Sequence, residues 1–408
     1  MDTLKKHFKP SLIRKVVSKF STPIFIYSEK IILDSIKAYK AAFSKTDVLF
    51  CYALKANSNN FLCSILAKKG FGADIVSGGE LFRALKAGFK PENIIFSGVG
   101  KTEEELTYAL KSCILMINVE SFDELKVLEK TASVLKKIAG FSIRINPDID
   151  SHTHKFITTG KIGSKFGVSL KEAFLMYDYS KKSKFLNPMG LQVHLGSQIY
   201  SASPYAMAVD LFIKVIKKLS ASGIKIKYID IGGGWGVDER KGMKPPAIFA
   251  KALNSRIKKL KNIKLIVEPG RSIMASAGIL ITKVLYQKKS GHKKFIIVDA
   301  AMNDFIRPVL YGAKHPVYNL FPKKRENIKA DIVGPVCESG DFLAQDIKLP
   351  LPDNGDLLAI GSVGAYGWSM SSQYNSRPRA AEVLLNEKSG YKLIRKRESL
   401  FDLILSEI

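Results

Sequence analysis

The sequence is poor in cysteine, in histidine and in long apolar runs, and each shortage excludes a class of protein. Four cysteines in 408 residues form no CxxC pair, so neither a disulfide framework nor a cysteine zinc site is expected. Six histidines give a zinc site little to draw on, and we expect no metal. No apolar run reaches the roughly 20 residues that span a bilayer, so no membrane segment is expected.

The N-terminus and the scarce cysteines bear on the cellular compartment. The first ten residues, MDTLKKHFKP, are basic but lead into no apolar stretch, so we expect no secretory signal. Few cysteines without a disulfide pattern are typical of a reducing compartment. We therefore expect a cytoplasmic location.

Acidic residues are scarce beside basic ones, with 37 Asp and Glu against 64 Lys and Arg and a formal net charge of +27. Such an excess usually suggests a nucleic-acid partner. Most of the basic residues are lysine, however, and they are spread along the chain in pairs such as Lys68-Lys69. Nucleic-acid sites favour arginine and aromatics in one patch. We therefore expect solvated helix faces and no nucleic-acid partner; a gel shift that survives moderate salt would support the alternative.

Short apolar, β-branched segments alternate with helical patterns between residues 47 and 268. The predicted strands are residues 48–54, 72–76, 93–97, 114–119, 141–145, 191–195, 226–231 and 264–267. Eight β/α units in about 220 residues match a (β/α)8 barrel of the TIM type. An open doubly wound sheet is the alternative that the pattern leaves open.

The pattern changes after Ala275, where turn clusters separate β-like segments and helical periodicity is scarce. The predicted strands there are residues 279–286, 294–298 and 356–360, and residues 21–27 are strand-like as well. We therefore predict an α/β chain of two domains. One is a barrel over residues 30–275; the other is a mainly β, sandwich- or barrel-like domain made of residues 1–29 and 276–408.

Reactive side chains recur where the predicted barrel strands end, which is the edge that carries the chemistry of (β/α)8 enzymes. They are Lys55, Asp74, Arg144, His194, Ser197, Asp230, the glycines at 232–234, Glu268, Gly270 and Arg271. Taken singly, each has an ordinary structural explanation. A lysine at a strand end often extends to solvent, and a run of glycines often forms a tight turn.

Together these groups meet the needs of pyridoxal 5′-phosphate. That cofactor requires an amine for covalent attachment, a phosphate cradle, a flat group against its ring and an acid at its pyridine nitrogen. Lys55 offers a partly desolvated amine, and the glycine turn offers N–H groups for a phosphate. His194 is the flat group and Glu268 is the acid.

Longer stretches resemble the alanine-racemase-like (fold-type III) decarboxylases that use pyridoxal phosphate, and within them the diaminopimelate branch. These stretches are YALKAN (52–57), HTHKFITTGKIGSKFG (152–167), HLGSQI (194–199), GGGWG (232–236), EPGR (268–271), MNDFIRPVLYGAKH (302–315), PVCESGD (335–341) and GAYGWSMSSQYNSRPRAAEVL (364–384). The CESGD and HTH…KFG segments single out the diaminopimelate branch. Its ornithine and arginine relatives usually have Asp where this chain has Glu338.

The resemblance implies a role for each matched residue. The implied cofactor ligands are Lys55, as the covalent anchor, Asp74, Arg144, His194, Ser197, Gly233, Gly234, Glu268, Gly270, Arg271 and Tyr366. The implied substrate ligands are Arg271, Arg307, Tyr311, Glu338 and Tyr366. The implied catalytic residues are Lys55, His194 and Cys337, with Cys337 as proton donor. A homodimer is implied too, in which the β domain contributes Cys337 and Glu338 to the site of the other subunit.

The implied reaction is the decarboxylation of meso-2,6-diaminopimelate to L-lysine and CO2, the last step of lysine biosynthesis. The residue types suit this amino-acid substrate, since arginines hold carboxylates well and a thiol is a reasonable proton donor near neutral pH. Two alternatives stay open at this point. One is a decarboxylase of another basic amino acid or of a carboxylated polyamine precursor; the other is a pyridoxal-phosphate-binding barrel without turnover.

Overall fold

The computed structural model describes residues 6–149, 164–238, 242–260, 262–322, 325–387 and 390–408. The chain divides into two compact units. The barrel unit comprises Ile36–Val237 and Lys244–Ser272, and the sheet unit comprises Met1–Ser35, Asp238–Met243 and Ile273–Ile408.

The elements are labelled in chain order. The strands are β1 Ile24–Ser28, β2 Val48–Ala53, β3 Gly72–Ile75, β4 Ile94–Phe96, β5 Met116–Val119, β6 Ala139–Arg144, β7 Leu186–Gln192, β8 Tyr228–Asp230, β9 Val237–Asp238, β10 Gly242–Met243, β11 Lys264–Val267, β12 Gly278–Ser290, β13 Lys293–Val298, β14 Val317–Asn319, β15 Asn327–Val333, β16 Phe342–Pro350, β17 Leu357–Ile360, β18 Ala381–Asn386 and β19 Gly390–Arg395. The helices are α1 Pro10–Phe20, α2 Glu29–Ala42, α3 Asn60–Lys68, α4 Gly78–Ala87, α5 Glu103–Lys111, α6 Phe122–Val134, α7 Leu170–Ser180, α8 Ser203–Ala221, α9 Pro246–Ile257, α10 Arg271–Met274 and α11 Arg307–Tyr311.

The barrel unit contains the predicted closed barrel of eight parallel strands. Their order is β11-β2-β3-β4-β5-β6-β7-β8, and β11 pairs with β8 to close the ring. Closure excludes the open doubly wound sheet. Because all eight strands are parallel, their carboxyl ends meet at one rim.

Serine and threonine caps start several of the helices that leave this rim. Ser77 accepts a hydrogen bond from the N–H of Glu80 at the start of α4. Thr102 and Glu105 form a capping box at the start of α5, and Ser121 caps α6. Such caps satisfy N–H groups that the helix itself leaves without a partner. They fix each helix start close to the end of the preceding strand.

The sixth predicted barrel strand lies too late in the sequence. Residues 191–195 were expected to be extended, whereas β7 runs from Leu186 to Gln192. Pro188 and Gly190 interrupt the apolar pattern, but both take part in pairing with β6, and the register shifts where Met189 lies between them. A bulge of this kind accommodates a proline within a sheet. His194 therefore lies beyond the strand, on the loop that follows it.

The sheet unit is mainly β, as predicted. Its strands follow the order β16-β15-β13-β12-β1-β18-β19, and β17 pairs with both β12 and β14. The strand-like N-terminal segment is β1, which lies antiparallel to β12 and parallel to β18. The buried core around it includes Ile24, Ile26, Ile279, Ile281, Ala359, Ala381, Val383 and Leu385.

The described part of the chain contains no helix that is both long enough and apolar enough to cross a membrane.

Candidate active site

A buried acid faces the lysine that follows the first barrel strand. Lys55 lies in a single 3-10 turn directly after β2, and its Nζ is 2.9 Å from Oδ2 of Asp74 in β3. Asp74 is fully buried, and its Oδ1 has no hydrogen-bond partner among the residues that the structure describes. Burial, reinforced by the charge of Glu268 and opposed by Lys55, raises the pKa of Asp74 to about 7. The lysine side chain is one-third exposed, so it is not enclosed by the barrel as Asp74 is.

His194 and Glu268 form a second pair at the same rim. The Nδ1 of His194 is 3.4 Å from Oε2 of Glu268, the residue that follows β11. Burial lowers the pKa of His194, which favours the neutral imidazole. Burial by itself would raise the pKa of Glu268, but hydrogen bonds to His194 and Asp230 and the charge of Lys55 hold it at about 2. Glu268 is therefore a buried carboxylate anion.

The glycine turn after β8 leaves no room for side chains. An added Cβ at Gly233 would lie 2.0 Å from the carbonyl oxygen of Glu268. At Gly234 it would lie 1.9 Å from the carbonyl oxygen of Gly196, and the φ of Gly234 is +84°. Only glycine combines this conformation with such a close approach of backbones. The turn is thus packed between the backbones of Glu268, which follows β11, and Gly196.

Two further donors lie beside this turn. The Nη2 of Arg271 donates to Oγ of Ser197 at 3.1 Å. Gly270 brings the Arg271 segment close to β2, since an added Cβ there would lie 3.0 Å from that of Ala53. A hydroxyl, a guanidinium and the backbone N–H groups of a glycine turn are suitable ligands for a phosphate.

These groups fit pyridoxal phosphate. The side chain of Lys55 is one-third exposed, Oδ1 of Asp74 has no partner among the described groups, and Glu268 is a buried anion suited to a protonated ring nitrogen. The donors at Ser197 and Arg271 suit the phosphate. The residues of the barrel rim therefore provide the amine, the anion and the phosphate donors that this cofactor requires.

Arg144 ends β6 in a buried ion pair that sequence reasoning missed. Its Nη1 is 3.0 Å from Oε1 of Glu120, and its guanidinium lies 4.5 Å from the ring centroid of Phe166. Glu120 also accepts hydrogen bonds from the N–H groups of Gly98 and Gly167. Glu120 directly follows β5. The search for reactive side chains at strand ends, which selected Lys55, could therefore have found Glu120 as well.

A polar network inside the barrel was also missed. The Nδ2 of Asn118 donates to Oγ of Ser97 at 2.9 Å and lies 3.4 Å from Oδ2 of Asp230. The hydroxyl of Ser142 donates to the other side of the Asn118 amide. All four residues are buried. A polar residue within an otherwise apolar strand, as Asn118 is in β5, was the available signal.

The sheet unit holds the predicted substrate residues Arg307, Tyr311 and Tyr366. Arg307 begins α11 and is buried, with Nη1 3.0 Å from Nε2 of His315. The other ring nitrogen of His315 is 2.9 Å from the carbonyl oxygen of Gly361, so the imidazole is held from both sides. Tyr311 ends α11, and Tyr366 has a left-handed backbone, with φ 56°.

Cys337 and Glu338 are exposed neighbours on one loop of the sheet unit. The N–H of Cys337 donates to Oδ1 of Asn375 at 2.8 Å. The carboxylate of Asp341 accepts from the N–H groups of Val336 and Met302, each at 2.7 Å. Asn375 and Asp341, which sequence reasoning did not select, thus hold the loop in shape.

The structure brings predicted residues into contact within the barrel unit, and the remaining predicted residues belong to the sheet unit. In the barrel unit, Lys55 meets Asp74, His194 meets Glu268 beside the glycine turn, and Ser197 meets Arg271. Arg144 instead pairs with Glu120. In the sheet unit, the members are Arg307, Tyr311, Cys337, Glu338 and Tyr366. The individual roles of all these residues stay predictions.

Comparison with known proteins identifies the family. The family model described as "Pyridoxal-dependent decarboxylase, pyridoxal binding domain" matches residues 29–275. The diaminopimelate decarboxylase of Aquifex aeolicus is 50% identical over 389 residues, which cover 95% of this chain and 92% of the relative. That of Helicobacter pylori strain J99 is 49% identical over 391 residues, covering 95% and 96%.

Solved structures agree with these sequences. The crystal structure of diaminopimelate decarboxylase from Helicobacter pylori complexed with L-lysine has a TM-score of 0.92 and 47% identity, covering 96% of this chain and 98% of the other. The enzyme from M. jannaschii, in co-complex with L-lysine, has a TM-score of 0.91 and 36% identity, covering 97% and 94%. This chain belongs to the diaminopimelate decarboxylase family of pyridoxal-dependent decarboxylases.

Proposed function

We propose that this chain decarboxylates meso-2,6-diaminopimelate to L-lysine and CO2, as the last step of lysine biosynthesis, with pyridoxal phosphate as cofactor. One observation carries the proposal above all. The barrel rim combines a lysine paired with a buried acid, a buried anion and a glycine turn, in a chain that is half identical to a diaminopimelate decarboxylase along 95% of its length.

The cofactor would be held by residues of the barrel rim. Lys55 would anchor it covalently, Glu268 would face its ring nitrogen, and His194 would lie against its ring. The phosphate would be bound by Ser197, Gly233, Gly234, Gly270 and Arg271. When bound, the cofactor accepts the electron pair that the departing CO2 leaves behind.

The protein's own part at this rim is to place protons and exclude water. Asp74 is able to hold the proton that the Lys55 Nζ must give up before it attaches to an aldehyde, because burial raises the pKa of Asp74 to about 7. Glu268 remains charged near neutral pH and therefore favours a proton on the ring nitrogen. Both acids are buried, which strengthens these electrostatic interactions.

The remaining residues would bind the substrate. Arg271, Arg307 and Tyr311 would hold a carboxylate of the substrate. Tyr366 would contact the cofactor phosphate and the substrate, and Arg144 would complete the cofactor's surroundings. Glu338 would bind the distal ammonium group, and the Cys337 thiol would give a proton to the α-carbon. The hydrogen bond from Cys337 to Asn375 supports this assignment, since it fixes the backbone of the loop that carries both residues.

We also propose a homodimer with shared sites, in which Cys337 and Glu338 of one subunit act in the site of the other. Both side chains are exposed on a loop that Asp341 and Asn375 hold in shape, which suits residues presented to another surface. A cytoplasmic location stays a prediction from the sequence.

Substrate turnover tests the proposed reaction. CO2 release would be measured from meso-diaminopimelate, ornithine, arginine and lysine under matched conditions. We expect release from diaminopimelate with lysine as the product, and a larger loss for Glu338→Gln than for the exposed Glu103→Gln. Release from ornithine or arginine without release from diaminopimelate would assign the chain to another basic amino acid. Bound cofactor without turnover of any of them would indicate a non-catalytic protein.

A further inference from the structure

Asp230 is a fully buried acid at the end of β8 that the proposed reaction does not use. Its Oδ1 accepts the N–H of Gly232 at 2.9 Å. Its Oδ2 accepts from Nδ2 of Asn118 over a long 3.4 Å, whereas the same amide donates to Ser97 over 2.9 Å. The second oxygen of Asp230 is thus only weakly satisfied by the barrel interior, although it lies away from water.

The strand register places this acid beside the cofactor-facing carboxylate. Asp230 pairs with Ile266 of β11, and the N–H of Glu268 donates to the carbonyl oxygen of Gly232 at 2.9 Å. Glu268 follows Ile266 by two residues, so the side chains of Asp230 and Glu268 lie on the same face of neighbouring strands, and both are buried. Two buried carboxyl groups placed side by side favour sharing one proton, because two neighbouring buried anions repel strongly.

The surroundings decide which of the two carries the proton. Glu268 has His194 at 3.4 Å and the amide of Gln192 at 3.4 Å, and it feels the charge of Lys55. Asp230 is surrounded by uncharged amides and has no cation in contact with it among the described groups. Burial and the charge of Glu268 raise the pKa of Asp230 well above its usual range. The titratable groups around the pair are Asp74, His194, Lys55 and Cys51.

We propose that Asp230 is a positioning residue for the cofactor, which as the neutral acid keeps its proton and donates a hydrogen bond to the Glu268 carboxylate, so that Glu268 stays charged and aimed at the ring nitrogen. The inference rests on the proposed use of this rim for pyridoxal phosphate. The Asp230 oxygen that receives the Gly232 N–H also ties the phosphate turn to the same acid. One side chain would therefore couple the two ends of the cofactor site.

Asparagine and alanine separate this role from its alternatives. In Asp230→Asn, the amide oxygen accepts from Gly232, and the amide nitrogen donates to Glu268, as the neutral acid does. In Asp230→Ala, both hydrogen bonds are lost. If Asp230 acted as an anion, the asparagine variant would be as damaging as the alanine variant.

The experiment is a titration of each purified, cofactor-stripped chain with pyridoxal phosphate, followed by absorbance. We expect Asp230→Asn to bind within about threefold of the unaltered chain, and Asp230→Ala to bind about tenfold more weakly or worse, as for the loss of a hydrogen bond to a charged group. In an E268Q background, Asp230→Ala should cost much less. Equal losses in both variants, full affinity in Asp230→Ala, or an unreduced loss in the E268Q background would overturn the proposal.

Thermal unfolding of the stripped chains checks that the variants fold. If Asp230→Ala does not fold, Asp230→Asn alone decides: retained affinity supports the neutral acid, and lost affinity contradicts it. The readout is cofactor binding, so the test is separate from the proposed reaction. An unaltered chain that binds the cofactor but does not turn over diaminopimelate would refute the proposed reaction and leave this test standing.

Discussion

Buried acids are the feature that most needs explanation at the scale of single residues. Asp74, Asp230 and Glu268 lie in the barrel unit and Asp304 in the sheet unit, and each is 2% exposed or less. A buried carboxyl group is costly unless it is paired or protonated. Asp74 and Glu268 share Lys55, Glu268 also faces His194, and Asp230 interacts with both acids, an arrangement typical of functional sites. Asp304 does not interact with these groups, and we expect its protonation to affect the stability of the fold.

Asp304 gives the clearest prediction of pH dependence. Burial raises its pKa from 3.8 to about 7, although the N–H of Ala301 and two arginines oppose the shift. The folded chain therefore holds this proton more tightly than the unfolded chain does. Its contribution to stability is complete below pH 3.8 and is lost as pH rises through about 7. We expect the melting temperature of Asp304→Asn, relative to that of the unaltered chain, to increase by several degrees across this range.

The control is Asp178→Asn, at an exposed acid of α7 that pairs with Lys181, the residue directly after that helix. Its melting temperature should follow that of the unaltered chain at every pH. A difference between Asp304→Asn and the unaltered chain that does not change from pH 5 to pH 8 would show that Asp304 is not protonated by burial.

Individual site residues could be predicted because they follow barrel strands. Lys55 and Glu268 each follow a strand end, so a rule about parallel strands was enough to select them. Their partners were harder to identify. Asp230 meets Glu268 only because β8 and β11 pair in a particular register, and Arg144 meets Glu120 across two strands. The register of strand pairing depends on tertiary packing, and a single sequence is not enough to predict it.

At the scale of elements, the glycine turn after β8 is the most constrained segment of the barrel rim. Gly234 has a left-handed backbone, and a Cβ there would overlap the carbonyl oxygen of Gly196. Gly355, in a turn of the sheet unit, has a similar φ of +90°, but a Cβ there would meet nothing within 4 Å. The two glycines share the conformational cost and differ only in available space.

We therefore expect Gly234→Ala to lose bound pyridoxal phosphate and to melt well below Gly355→Ala. The alanine at 355 incurs about 1–2 kcal/mol for its left-handed backbone, whereas the alanine at 234 adds a clash of about 1–3 kcal/mol. Absorbance of the bound cofactor and thermal unfolding measure the two effects. Equal melting temperatures, with cofactor retained in both variants, would show that the turn has room to adjust.

Most barrel strands could be predicted, and β7 shows why one could not. Its proline and glycine are typical of turns, yet a bulge against β6 accommodates them. In the sheet unit, β14, β15, β16, β18 and β19 were also missed. Of these, β16 and β19 contain exposed or half-exposed residues along most of their length, so the apolar pattern that indicates a buried strand is weak there.

At the scale of the whole molecule, the proposed site uses both units of the chain. Lys55 belongs to the barrel unit and Cys337 to the sheet unit. In the proposed homodimer, each site would take Lys55 from one subunit and Cys337 from the other. The similarity to diaminopimelate decarboxylases extends over 95% of the chain, so both units belong to the family's common structure.

Mixed subunits test whether sites are shared. Lys55→Ala and Cys337→Ala chains should each be nearly inactive alone. After mixing under conditions that exchange subunits, a dimer of one of each contains one intact site, so about a quarter of the unaltered activity should return. A mixture of Lys55→Ala chains with unaltered chains is the control for subunit exchange. No recovery, despite demonstrated exchange, would place both residues in the site of one subunit.

The absorbance spectrum of the purified chain tests the central claim most directly, namely that Lys55 of the barrel unit anchors pyridoxal phosphate. We expect a visible absorbance band in the unaltered chain and in Lys101→Ala, whose lysine forms a buried ion pair with Glu124, provided that this variant folds. The band should be absent from a folded Lys55→Ala chain supplied with the cofactor. The same band in Lys55→Ala would contradict the account.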